Sequence, residues 1–131
     1  MILTKFNSLI PELSVSNINK SKEFYLKLGF NIMYERVEDK FVFLQLEDNQ
    51  IMIEENNNNW NTGEMDYPYG RGINISMSVE DIDSMYKKIK ENNIELFLDL
   101  EIHEYRINDI ISYDKEFLIQ DPDGYLLRFN N

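Results

Sequence analysis

An internal repeat is the feature that most restricts the fold of this chain. A shift of 64 residues superimposes four apolar positions in and beside a predicted helix: Val15, Ile18, Tyr25 and Phe30 fall on Val79, Ile82, Ile89 and Ile94. A shift of 74 residues superimposes Phe43-Leu44 on Phe117-Leu118, Met52 on Leu126 and Glu54 on Arg128. The two shifts differ by an insertion of ten residues around Glu101 to Asp114. Two registers that agree over separate segments favour duplication of one unit over chance likeness between amphipathic elements.

Each copy has the pattern of a strand, a helix and three further strands. Asn17 carries a side chain that caps helix N-termini, and Gly29 tolerates the left-handed backbone with which helices commonly end. Extended runs follow at 30–37, 41–46 and 51–54, with turn residues at 47–49. The sequence therefore predicts an α+β fold of two βαβββ modules, at about residues 8–55 and 72–131, within one domain spanning 1–131.

Composition excludes several classes of function. The chain has no cysteine, which rules out disulfides, thiolate metal sites and a cysteine nucleophile. Thirteen Lys and Arg against 24 Asp and Glu give a net charge of −11, which repels nucleic acid and attracts cations. No apolar run reaches the roughly twenty residues of a membrane span, and no secretory leader pattern is present. We therefore expect a soluble cytoplasmic protein with neither nucleic acid nor membrane as a partner.

A polar, asparagine-rich segment separates the two modules. It runs from Glu55 to Gly63, contains Trp60 and continues to Tyr67 and Tyr69. Such a loop is either a solvated connector or, through its aromatic side chains, a stacking surface for a ligand. The sequence leaves both interpretations open.

Alternation along the strands separates a polar face from an apolar face. The polar face carries Ile10, Glu12, Ser14, Met52, Glu54, Asn74, Ser76, Ser78, Leu126 and Arg128. The other face is expected to pack under the helices, and it carries Leu13, Val15, Ile51, Ile53, Ile73, Ile75, Met77, Val79, Tyr125, Leu127 and Phe129. Because buried charges need partners, we expect Glu54 and Arg128 to pair.

Three motifs resemble the vicinal oxygen chelate superfamily, which includes glyoxalases, extradiol dioxygenases, and fosfomycin and bleomycin resistance proteins. They are Ile10-Pro11-Glu12-Leu13-Ser14-Val15, then Ser21 to Tyr25 with Leu28-Gly29-Phe30, and Asp121-Pro122-Asp123-Gly124 continuing to Phe129. The resemblance covers nearly the whole chain. It implies that the two modules form one curved, cup-shaped mixed sheet with the helices outside.

The resemblance also implies where a divalent metal ion would bind. The metal enzymes of the superfamily use one residue from the first and one from the last strand of each module, here Ile10, Glu54, Asn74 and Arg128. Of these only Glu54 is a strong donor, and the guanidinium of Arg128 repels a cation. We therefore expect no metal, no other cofactor and no catalytic residue.

Within the superfamily, the chain is most similar to the metal-free bleomycin resistance proteins, which sequester the antibiotic without transforming it. A Pro-Trp-Gly segment of that branch is matched here by Ser112-Tyr113-Asp114. This resemblance predicts a binding protein for a cationic or aromatic small molecule such as a glycopeptide antibiotic, held in the crevice of a homodimer that exchanges its first strand. The predicted ligand-binding residues are Glu54, Trp60, Asn74, Ser76, Tyr113 and Arg128.

Two other functions remain open from the sequence. One is a metal-dependent, glyoxalase-like lyase or isomerase, or a dioxygenase, that uses unusual ligands such as Glu12, Glu54 and His103, the only histidine of the chain. The other is an interaction module whose acidic surface binds a basic protein.

Overall fold

The structure is a computed structural model that describes residues 5–131. It contains two compact units, the first ending at Asp66 and the second spanning Tyr67–Asn131. Each unit contains one of the predicted modules, in the order β-α-β-β-β. The predicted α+β class with two βαβββ modules is therefore confirmed. The sequence also predicts that the two units form one domain with a common cup-shaped sheet. Both statements concern the arrangement of the units, and they stay predictions.

The first unit consists of a four-stranded sheet and one helix. Its elements are β1 (Glu12–Val15), α1 (Ile18–Leu28), β2 (Asn31–Arg36), a 3-10 turn (Val37–Asp39), β3 (Phe41–Leu46) and β4 (Asn49–Glu55). The strand order is β1-β4-β3-β2, and β1 pairs with β4 in parallel, whereas the other pairs are antiparallel.

The second unit repeats this arrangement. Its elements are β5 (Asn74–Ser78), α2 (Ile82–Glu91), β6 (Leu96–Ile107), β7 (Ile110–Gln120) and β8 (Leu126–Asn130). The order β5-β8-β7-β6 and the parallel β5–β8 pair match the first unit strand by strand.

The repeat extends to the helix ends. Asn17 Oδ1 accepts the Lys20 backbone N–H at 3.1 Å, and Asp81 Oδ1 accepts that of Ser84 at 3.0 Å. After each helix a residue adopts a left-handed backbone, Gly29 with φ 104° and Asn93 with φ 54°. Asparagine is the residue that, after glycine, most readily takes this conformation, which explains how the second module ends its helix without a glycine.

The predicted apolar faces lie in the cores, except that Ile75 is only half-buried and Ile73 is exposed. Val15, Ile53, Leu127 and Phe129 have no exposed surface, and their strands lie in the sheets that the helices cover. Ile73 is 64% exposed because β5 begins one residue later, so its predicted burial is wrong. No helix within residues 5–131 is long and apolar enough to cross a membrane.

The insertion lengthens one hairpin. β6 and β7 have 12 and 11 residues, whereas β2 and β3 have six each. Pairing between β7 and β8 ends at Glu116 and Asn130, so the part of the hairpin beyond this point consists of two strands only. We call residues 101–115 the β6–β7 ribbon.

The turn between β7 and β8 is closed by a buried aspartate. Asp121 Oδ1 accepts the backbone N–H groups of Asp123 and Tyr125, both at 2.9 Å. Gly124 follows with φ 95°, and a Cβ atom there would lie 2.6 Å from the Cβ of Pro68.

We expect Gly124→Ala to destabilise the protein by about 1–3 kcal/mol, because it combines a left-handed backbone with a steric clash. Gly63→Ala is the matched control, since a Cβ at Gly63 meets no atom within 4 Å. Urea unfolding of both variants measures the difference. Equal stabilities of the two variants would contradict this account of the turn.

Candidate functional site

The first unit has an open sheet face that carries two carboxylates. The parallel β1–β4 register sets Glu12 beside Met52 and Ser14 beside Glu54, so these side chains share the face opposite α1. The sequence analysis predicted that Glu12, Ser14, Met52 and Glu54 share one face, and the register confirms it. Ile10 precedes β1 and lies outside the strand.

Aromatic side chains continue this face across β3 and β2. Phe41 pairs with Glu54 and Phe43 with Met52, which puts both rings on the carboxylate side. The Tyr34 ring stacks on Phe43 with centroids 5.2 Å apart, and the Arg36 guanidinium lies 4.1 Å from the centroid of Phe41. We call Glu12, Glu54, Tyr34, Arg36, Phe41 and Phe43 the acidic-aromatic face.

The two carboxylates of this face influence each other. Partial burial and the negative charge of Glu54 raise the pKa of Glu12, and the positive charge of Arg36 offsets only part of this effect. Glu54 Oε1 accepts a hydrogen bond from Asn57 Nδ2 at 3.0 Å. Ionised Glu12 is therefore disfavoured in the folded protein, and a cation bound beside it would remove the penalty.

The open face of the second unit is polar and largely satisfied internally. Arg128 Nε donates to Asn74 Oδ1 at 3.0 Å, and Arg128 Nη1 lies 3.8 Å from Glu116 Oε1. Asn130 Nδ2 donates to Ser76 Oγ at 2.8 Å. The structure thus brings together the predicted site residues Asn74, Ser76 and Arg128. The predicted pair between Glu54 and Arg128 would join the two units and stays a prediction.

The residues matched to metal-ligand positions do not fit a divalent ion. In the second unit the guanidinium of Arg128 has no lone pair to donate, and it binds the Asn74 oxygen that would have to serve as a ligand. Within residues 5–131 no three Asp, Glu or His side chains are grouped as a metal site requires. His103 Nε2 lies 2.7 Å from Glu101 Oε2, on the β6–β7 ribbon.

Trp60 lies on a loop that asparagine side chains hold in shape. Asn56 Oδ1 accepts from the Asn58 backbone N–H at 3.0 Å and from Asn61 Nδ2 at 3.2 Å. The indole itself is 73% exposed. The loop therefore has an internal hydrogen-bond network, and it presents one large aromatic ring to solvent.

Tyr113 lies on the opposite sheet face from Arg128. Glu116 and Leu118 pair with β8 on the Arg128 side, so Tyr113 and Lys115 point to the α2 side. There Tyr113 lines a cavity of about 420 Å³ beside the start of α2, where Lys115 Nζ lies 3.1 Å from Asp83 Oδ2. The structure therefore does not bring Tyr113 together with Asn74, Ser76 and Arg128.

The sequence analysis did not predict that Tyr34, Phe41 and Phe43 lie on the same sheet face as Glu12 and Glu54. A register shift between Ile32 and Tyr34 breaks the alternation of β2, so the side to which Tyr34 points could not be read from spacing. In β3 the four successive positions 41–44 are all apolar and all buried, so alternation did not single out Phe41 and Phe43 either.

Comparison with models of known protein families identifies one superfamily. Residues 6–129 match the model of the Glyoxalase/Bleomycin resistance protein/Dioxygenase superfamily. No curated protein matches significantly.

Several solved structures are similar to this chain. A superfamily member from Vibrio splendidus is similar at 35% identity, with 92% of this chain and 94% of that chain covered and a TM-score of 0.43. A protein from Alicyclobacillus acidocaldarius, described as glyoxalase/bleomycin resistance protein/dioxygenase, is similar at 22% identity, with 95% and 89% covered and a TM-score of 0.67. A bleomycin resistance determinant encoded on transposon Tn5 is similar at 19% identity, with 96% and 98% covered and a TM-score of 0.66.

We expect Glu12→Gln to stabilise the protein at neutral pH, by less than about 1 kcal/mol because the side chain is exposed. The raised pKa of Glu12 means that its charge disfavours folding above that pKa and has no effect below the ordinary value of 4.5. The gain should therefore disappear as the pH falls below about 4.5. Urea unfolding at several pH values measures it, with Glu64→Gln, on an exposed loop, as the control. A gain that is constant with pH would contradict the proposed repulsion.

Proposed function

Because the chain belongs to the glyoxalase/bleomycin resistance protein/dioxygenase superfamily, we propose that it is a metal-free binding protein that sequesters a cationic, aromatic small molecule. It holds the ligand without transforming it, and it acts as a homodimer in the cytoplasm.

One observation carries the metal-free part of this proposal. The Arg128–Asn74 hydrogen bond of 3.0 Å occupies two of the four positions at which metal enzymes of the superfamily hold their ion. A fixed guanidinium there opposes a divalent cation by charge, and it engages the neighbouring amide oxygen. The chain thus departs from its metal-dependent relatives in a way that disfavours metal-assisted chemistry.

The acidic-aromatic face supports a cationic ligand. It combines two carboxylates that repel each other with the ring of Tyr34, which is 39% exposed and can attract positive charge, whereas Phe41 and Phe43 are buried. Arg36 already lies over Phe41 at 4.1 Å, so the protein's own cation uses this surface. A ligand cation beside Glu12 and Glu54 would relieve their repulsion, and its planar part would stack on an aromatic ring.

The remaining predicted ligand-binding residues take complementary roles. Trp60 offers a freely accessible ring for stacking. Arg128 and Ser76 offer donors for carbonyl or carboxylate groups, because the Asn74 contact uses only the Nε of the guanidinium. Tyr113 would contact a ligand only from the α2 side of its sheet.

A glycopeptide antibiotic of the bleomycin type fits this chemistry, since it carries both planar rings and positive charge. The similarity to the transposon-encoded bleomycin resistance determinant makes bleomycin the first compound to test.

We expect bleomycin at one hundred times its dissociation constant to stabilise the protein by about 2.7 kcal/mol. The stabilisation should decrease at high salt, because screening weakens the attraction between ligand and carboxylates. Glu54→Gln should weaken binding several-fold, whereas Glu64→Gln, on the exposed loop, should leave it unchanged. Thermal unfolding and calorimetric titration measure both effects. No stabilisation by bleomycin or by other cationic antibiotics would overturn the proposed ligand class.

The metal-dependent alternative is favoured only by the proximity of Glu12 to Glu54, which would supply two oxygen ligands. We expect protein purified without chelator to contain less than a tenth of an equivalent of Zn, Ni, Mn or Fe by elemental analysis. A stoichiometric metal that is lost in Glu12→Gln or Glu54→Gln would overturn the metal-free proposal.

A further inference from the structure

We propose that residues 5–7 cover the aromatic part of the acidic-aromatic face in the free protein, and that a planar aromatic cation displaces this cover when it binds. We call residues 5–7 the Phe6 strap, because the ring of Phe6 lies at its centre. The cover is a property of the free protein alone, whereas its displacement by a ligand rests on the proposed function. Phe6 is not among the site residues that the sequence predicts.

The ring of Phe6 packs against two rings of the acidic-aromatic face. Its centroid lies 5.2 Å from that of Phe43, with the two planes at 86°, and 6.4 Å from that of Tyr34, with the planes at 84°. Both contacts are edge-to-face, an arrangement that aromatic pairs favour. Phe43 is 1% exposed and Phe6 is 54% exposed, so Phe6 forms the outer layer over Phe43. Phe6 therefore occupies the position from which a ligand ring would contact Phe43.

A buried glutamine fixes Phe6 in this position. Gln50 Oε1 accepts the Asn7 backbone N–H at 2.7 Å, and Gln50 Nε2 donates to the Lys5 carbonyl oxygen at 2.7 Å. The amide thus binds the backbone on both sides of Phe6. Gln50 is 4% exposed and lies on the same face of β4 as Glu54. The Phe6 strap is therefore attached to the face that carries the carboxylates.

The contacts of the Phe6 strap can be released without unfolding of the sheet. Residues 5–7 belong to no helix or strand, and their remaining hydrogen bond, from Asn7 Nδ2 to the Asp48 carbonyl oxygen at 2.8 Å, is exposed. Gln50 Nε2 also donates to Gln45 Oε1 at 2.9 Å, so the buried amide keeps a partner when the strap leaves. Short surface segments with few buried contacts are the parts of a protein that open locally.

The chemistry of the opened face selects a planar aromatic cation. A ring that replaces Phe6 regains the contact with Phe43, which a purely aliphatic cation cannot do. Phe43 and Glu12 both pair with Met52 from opposite sides, so they lie two strand spacings, about 10 Å, apart. A positive charge within this reach of the ring meets a carboxylate, which Phe6 leaves without a cation. The ligand therefore gains an interaction that the strap does not supply.

The first test needs no ligand. Nitration of tyrosine followed by peptide mass spectrometry measures how accessible the ring of Tyr34 is. We expect Tyr34 to react about threefold faster or more in Phe6→Ala, which removes the covering ring. Gln50→Leu keeps Phe6 but releases the strap, and it should accelerate the reaction in the same way.

Leu9→Ala is the matched control for nitration. It removes an apolar side chain that is 81% exposed, from the same segment of the chain, and it should leave the rate at Tyr34 unchanged. Urea unfolding shows that each variant is folded. An unchanged rate at Tyr34 in Phe6→Ala, or an equal increase in Leu9→Ala, would contradict the cover.

The second test measures binding of bleomycin by calorimetric titration. Phe6→Ala should bind about threefold more tightly or better, because the ligand no longer has to displace a ring from the face. Leu9→Ala should bind as the original chain does. Weaker binding by Phe6→Ala would make Phe6 a wall of the site and overturn its displacement. If no variant binds bleomycin, the proposed function fails, and nitration still decides whether Phe6 covers Tyr34.

Discussion

The parallel pairing of the first and last strands of each module determines most of this structure. A parallel pair cannot be closed by a tight turn, so the chain must cross over, and α1 and α2 make this crossover. Each helix covers one face of its sheet, and the polar residues of the first and last strands lie on the other face. The β5–β8 register then brings Arg128 beside Ser76 and within hydrogen-bond distance of Asn74. The hydrogen bond between Arg128 and Asn74 therefore follows directly from the topology.

The two modules share one architecture but differ in electrostatics. In the second, Arg128 is balanced by Asn74 and Glu116, so the open face has little unsatisfied charge. In the first, Glu12 and Glu54 repel each other above a floor of aromatic rings. The two modules thus share one backbone pattern, while only the first contains two carboxylates that repel each other.

Local chemistry made the fold predictable from the sequence. The caps at Asn17 and Asp81 and the left-handed residues at Gly29 and Asn93 act within a few residues of chain, so their spacing alone revealed both helices. Strand faces were predictable wherever alternation is unbroken, as for Asn74, Ser76 and Arg128. Tyr113 was assigned to the ligand site by its motif and not by strand alternation. It lies four positions before the buried Phe117, so its side chain points to the same side of the sheet as Phe117, away from Arg128. The aromatic floor was not predictable, because the irregular register of β2 and the packing of distant rings are not encoded in a local pattern.

The exposure of Trp60 has a practical consequence for spectroscopy. It is the only tryptophan of the chain, and its indole is already largely in contact with solvent in the folded protein. Unfolding will therefore change its emission little, and fluorescence excited selectively at tryptophan is a poor reporter of global stability. The same property makes the indole a sensitive reporter of anything that covers the loop, since a shift of its emission to shorter wavelength then indicates loss of water around this one ring.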